Sequence, residues 1–117
     1  MPYRRILETL LARVAGARTA LLLDVWGEIV VGAGDLGERQ RLIGAYHGIS
    51  LGMASRTAGR FGAGDVRSLV WRHDGGSVVL TTLKDGYYLV VSLDRGALPA
   101  VAGRHCQDAR TRLDEEI

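Results

Sequence analysis

Apolar positions recur at helical spacing over residues 3–15, where Ile6, Leu7, Leu10, Leu11 and Val14 share one side and Arg4, Arg5, Glu8 and Arg13 occupy the others. The spacing predicts an amphipathic helix that ends at Gly16, a residue suited to the turn past a helix end. The period then shortens. TALLLD (19–24) is an unbroken apolar run, VWG a turn and EIVVGAG (28–34) a second β-rich run. Together they predict a hairpin, with Asp24 and Gly27 supplying the turn chemistry. A long helix is predicted from about Gly37 to Arg60, closed by the loop FGAGD. VRSLVWR (66–72), SVVLTTL (77–83) and YYLVVSL (87–93) follow, separated by HDGG and KDG. Both separators carry Asp-Gly turn signals, so the three runs read as a meander. Leu98, Val101, Ala102, Cys106, Ala109 and Leu113 mark a terminal helix, opened by Pro99 in its first turn and finishing in DEEI.

The order is helix, two strands, helix, three strands, helix. It predicts an α+β domain of three layers, with a mainly antiparallel five-stranded sheet and helices on both faces, because both faces must be covered. A chain of 117 residues with no internal repeat and no low-complexity linker is expected to form one domain spanning 1–117.

The central helix departs from the ordinary pattern. It carries glycines at 44, 48 and 52, each costing about 1 kcal/mol relative to alanine in a helix interior. From Leu42 to Ser55 it has no Asp, Glu, Lys or Arg, so it lacks the charged face of a surface helix. On a helical wheel Leu42, Ala45, Tyr46, Ile49 and Met53 form a bulky stripe, which is expected to cover the sheet. Gly44, Gly48, Leu51, Ala54, Ser55 and Ala58 form a smooth second face. Small residues at four-residue spacing permit close approach of two backbones, so the smooth face is expected to meet the same helix of a second copy. The strand VRSLVWR, with Arg67, Leu69 and Trp71 alternating against Val66, Ser68 and Val70, is expected to extend that interface if it lies at a sheet edge.

Composition narrows the function. With 47% hydrophobic and 24% charged residues the chain reads as globular, and no apolar run approaches the roughly 20 residues needed to span a bilayer, so membrane insertion is not expected. The formal net charge is +2 and the arginines are scattered, which gives nucleic-acid binding little support. A single cysteine, Cys106, excludes an internal disulfide and fits a reducing, cytoplasmic setting.

Chemistry-bearing motifs are sparse. GAGDLG (32–37) is literally G-x-G-x-x-G, but its preceding strand belongs to a hairpin and no acidic residue follows about 20 positions on, so it is not a dinucleotide fingerprint. His47, His73 and His105 lie far apart, without Cys or carboxylates at metal-ligand spacing. No set of residues supplies nucleophile, base and stabiliser, so no catalytic residue, no metal and no cofactor is expected.

The ALLLDVWG hairpin start, the helix-to-strand passage HGISLGMASRTAGRFGAGDVRS and the run GGSVVLTTLKDGYYLVVSL resemble the roadblock family, which includes dynein light chains and bacterial partners of Ras-like GTPases. The resemblance covers residues 3 to about 113 and is nearest to the bacterial stand-alone type. It implies a homodimer with central helices side by side and third strands paired into one continuous sheet. It also implies binding of a small Ras-like GTPase on the paired helices, some members stimulating GTP hydrolysis through the GTPase's own residues. Carried to this chain, that surface would use Tyr46, His47, Ser50, Arg56 and Arg60. Two functions follow as expectations: a non-enzymatic homodimeric GTPase regulator or adaptor in bacterial signalling or polarity, and, alternatively, a small-molecule sensor or a scaffold for other signalling proteins.

Overall fold

The computed structural model describes residues 2–117, apart from the side chain of Ala45. Helix α1 (Pro2–Arg13) leads into β1 (Ala17–Leu23) and β2 (Ile29–Gly34), then α2 (Glu38–Arg60), then β3 (Ser68–His73), β4 (Gly76–Thr82) and β5 (Tyr88–Asp94), and finally α3 (Pro99–Glu116). The five strands form one sheet in the order β2-β1-β5-β4-β3, in which every neighbouring pair is antiparallel. Strands β2 and β3 are its two edges.

The turns follow from their residues. Asp24 accepts hydrogen bonds at Oδ1 from the backbone N–H groups of Trp26 (2.9 Å) and Glu28 (3.0 Å), and Gly27 adopts a φ of 83° that an L side chain would resist. Between β4 and β5, Asp85 and Gly86 both take positive φ (58° and 81°), the geometry of a primed hairpin turn. Helix α2 closes in a Schellman motif: Ala63 N–H donates to Ala58 O (2.9 Å) and Gly62 N–H to Gly59 O, with Gly62 at φ 64°. Pro99 occupies the first turn of α3, where its missing N–H costs nothing.

Three layers result. On one sheet face α1 and α3 pack together over Ala20, Leu22, Val79, Leu89 and Val91, contributing Leu7, Leu10, Ala102, Cys106 and Leu113. On the other face α2 lies over Leu21, Leu23, Val78, Leu80, Tyr88 and Val90. Strand β3 begins at Ser68, two residues later than its apolar pattern suggests. Thr82 holds the approach to β3: its backbone N–H donates to Arg67 O (3.0 Å) in line with the ladder, and its hydroxyl donates to Val66 O (2.9 Å) and Arg67 O, so a side chain takes up the Val66 carbonyl where regular pairing ends.

Candidate functional site

Helix α2 presents the largest departure from the sequence-based expectation, because its two faces are exchanged. Gly44 is buried, and a Cβ there would stand 2.7 Å from Leu21 Cδ1. A Cβ on Gly48 would strike the hydroxyl of Tyr88 and lie 2.9 Å from its Cζ. Leu51, 8% exposed, packs on the same sheet face. Gly44, Gly48 and Leu51 therefore face the sheet of their own chain and not outward. The physical reason lies in the strands: Leu21, Leu23 and Tyr88 are large and point at α2, so the helix must be small where it crosses them. The close approach that glycine permits is between helix and sheet.

The bulky stripe turns outward as a consequence. Leu42 (49% exposed), Tyr46 (67%), Ile49 (62%) and Met53 (57%) form a ridge at helical spacing along the solvent side of α2. Ala45, expected in that stripe, has its side chain outside the described residues. Apolar ridges of this extent mark interaction sites far more often than free surface. Among the remaining expected positions, Ala54 and Ala58 are half-buried and Ser55, Arg56 and Arg60 exposed, while Ser50 is half-buried.

Beside the ridge runs β3, whose outer side has no strand neighbour among the described residues. Its residues are almost all exposed, Leu69 being half-covered and Trp71 46% exposed; Arg67 precedes the strand and is exposed too. Trp71 joins the two elements. Its ring lies 5.7 Å from that of His47, centroid to centroid, inclined at 54°. His47 is half-buried at this seam, and Nδ1 has no hydrogen-bond partner among the described residues. Burial lowers its pKa from the usual 6.5, and nearby His73 adds to the effect, so His47 is held neutral. The face thus consists of an uncharged apolar ridge, an unpaired strand edge and a neutral histidine between them.

No cluster of three or more His, Cys, Asp or Glu at metal-binding distance occurs among the described residues. Cys106 is fully buried beneath α3, and burial pushes its thiol up to about 11, with the nearby Thr81 hydroxyl opposing this only in part. No helix among the described residues is long and apolar enough to cross a membrane.

A five-stranded antiparallel sheet with two helices on one face, a lone helix on the other, and an open strand edge beside an exposed apolar helix ridge defines a small three-layer α+β domain. The chain belongs to the Roadblock/LC7 domain family, whose model matches residues 5–93. The structure is similar to that of a Roadblock/LC7 domain from Streptomyces avermitilis, at 24% identity, a TM-score of 0.87 and coverage of 96% of this chain and 94% of that one. It is similar to the gliding protein MglB of Thermus thermophilus at 19% identity and a TM-score of 0.86, covering 97% and 87% of the two chains. Myxococcus xanthus MglB aligns at 16% identity with a TM-score of 0.85, covering 97% and 92%. At these identities the likenesses establish a shared fold. No curated protein matches the chain.

Proposed function

We propose that this chain is a non-enzymatic homodimeric regulator or adaptor that binds a small Ras-like GTPase and sets its activity or position in bacterial signalling. The observation that carries the proposal is the exposed apolar ridge Leu42, Tyr46, Ile49 and Met53 on α2, joined through the His47–Trp71 contact to β3, an edge strand with no strand neighbour on its outer side among the described residues. A two-fold axis beside β3 would satisfy both needs in one step. The β3 strands of two copies would pair, and the ridges of two α2 helices would meet side by side. Ala54, Ser55 and Ala58 would flank that contact, and Arg67, Leu69 and Trp71 would belong to the strand seam.

The GTPase would sit on the joined helices. Arg56 and Arg60 are exposed and available to such a partner, Tyr46 would meet it only from the rim of the paired ridges, Ser50 is half-covered, and His47 would act from the seam behind them. Family membership supports a protein partner, and a regulator of this kind would work through its partner's residues.

Light scattering on the purified chain, followed by capture from native lysate with and without a non-hydrolysable GTP analogue, tests the proposal. A dimer that retains a small GTPase in a nucleotide-dependent manner is the expected result. A chain that stays monomeric at high micromolar concentration and captures no GTPase would overturn it.

A further inference from the structure

His47 stands where the two surfaces of the proposed interface meet. Its neighbour in sequence, Tyr46, belongs to the ridge of α2, and its own ring lies 5.7 Å from that of Trp71 on the edge strand β3. The residue is half-buried, and Nδ1 is closed off from solvent with no hydrogen-bond partner among the described residues.

That geometry treats the two protonation states unequally. Neutral imidazole can carry its hydrogen on Nε2 and leave Nδ1 a bare lone pair, whereas the imidazolium has an N–H on both nitrogens. Protonation therefore puts a donor at Nδ1, where neither protein nor water accepts it, and an unpaired donor on a charged group is costly.

The surroundings do not offset the cost. From Leu42 to Ser55, α2 has no Asp, Glu, Lys or Arg. Beneath this stretch β1, β4 and β5 present leucines, valines and the phenol of Tyr88. The charged residues next along the two elements, Arg41 and Arg56 on α2 and Arg72 on β3, are exposed and positive. Burial lowers the pKa of His47, and the charge of nearby His73 opposes a second one in the same direction. In the single chain, water on the open part of the ring is what still tolerates the charge.

We propose that His47 makes assembly of the chain depend on pH, the dimer holding with both imidazoles neutral and coming apart as they take up protons. The inference rests on the dimer of the proposed function. Pairing of the β3 strands and the α2 ridges would cover the seam and remove the water that eases the charge, so the paired state resists protonation more than the single chain does. Assembly then releases protons, and by linkage acid opposes assembly. The dimer keeps its full strength at neutral pH and weakens as the pH falls through the His47 pKa of the single chain, which lies below the usual 6.5. With one His47 per chain, the dependence is limited to about two protons per dimer, or roughly a hundredfold in Kd per pH unit.

Sedimentation equilibrium of the full chain from about pH 7.5 to about pH 5 at constant ionic strength tests this, with circular dichroism at each pH to follow the fold. The Kd of the parent should rise about tenfold or more across the range. His47→Gln, neutral throughout, should hold a nearly constant Kd, and His73→Gln should keep the dependence. The His47 ring followed by NMR gives a second reading that needs no variant: its titration midpoint should be lower in the assembled protein than in the dilute, single chain. A dimer whose Kd does not change with pH, or one that weakens in parallel in the parent and in His47→Gln, overturns the inference and leaves the dimer standing. A chain that is monomeric at every pH overturns the dimer reading and this inference with it.

Discussion

Gly48 stands directly over the hydroxyl of Tyr88, so close that a single added methyl group would overlap it. The relationship is reciprocal. Tyr88 is 4% exposed, and its hydroxyl has no hydrogen-bond partner among the described residues. Burial, with Asp24 adding to it, raises the phenol's pKa above the usual 10.0. A large aromatic residue on β5 and a missing side chain on α2 are thus one steric solution, and it sets how near the helix lies to the sheet.

Gly48→Ala is therefore expected to destabilise the fold by about 1–3 kcal/mol, although alanine is the better helix former by about 1 kcal/mol. Tyr88→Phe removes the orphan hydroxyl and should leave stability unchanged or slightly raised. In the Tyr88→Phe background the cost of Gly48→Ala should shrink, because the nearest obstructing atom has gone. Urea denaturation of the four proteins reads the coupling. Equal cost in both backgrounds would show that Tyr88 is not what excludes the side chain.

Most of the architecture was legible because it rests on periodicity and turn chemistry. Leu7, Leu10 and Val14 fall at helical spacing, Asp24 and Gly27 make their hairpin, and Asp85-Gly86 turns the β4–β5 connection as Asp-Gly pairs do. The orientation of α2 was not legible in this way. A helical wheel sorts side chains by bulk and assumes that bulk is buried, but interior volume is shared between layers. Leu21, Leu23 and Tyr88 take most of the space under α2, leaving room for Gly44 and Gly48 and even for polar Gln40 and His47. Counting the leucines that TALLLD must point at the helix is the signal that would have reversed the assignment and placed Ile49 and Met53 outside.

The outward ridge gives a direct test of assembly. Ile49→Asp places a charge at a 62%-exposed position, so the isolated fold should be unaffected, with circular dichroism and thermal midpoint close to those of the parent. If the ridge joins two copies, that carboxylate is driven into an apolar contact against its own symmetry mate. The dimer should then weaken by at least about 2 kcal/mol, some thirtyfold in Kd, as read by sedimentation equilibrium. An unchanged dimer would place the interface elsewhere.

His47 links stability to pH. Its pKa is lowered in the fold by burial and then by His73, so the unfolded chain binds the proton more tightly than the folded one does. Stability is therefore full above the unfolded value of 6.5 and declines as the pH falls through it towards the lower folded value. Thermal midpoints measured at intervals from neutral to mildly acidic pH should show this loss. His47→Gln, which stays neutral throughout, should flatten the part of the profile that His47 causes. If the variant and the parent lose stability in parallel, another group is responsible.

Cys106 offers a test of the opposite, α1/α3 layer. Its side chain is fully buried among α3 and the sheet, and its pKa of about 11 leaves almost no thiolate at neutral pH. Since the thiolate is the reactive form, an aromatic disulfide reagent should label the native chain only through opening of the α3 layer, at a rate that rises steeply with denaturant. Cys106→Ala removes one sulfur from this packed layer and should cost about 1 kcal/mol. Cys106→Ser adds a buried hydroxyl and should cost more, by about 1–3 kcal/mol if it finds no partner. Rapid labelling of the native chain without denaturant would mean that α3 separates from the sheet readily, and that this layer is less firmly closed than its burial indicates.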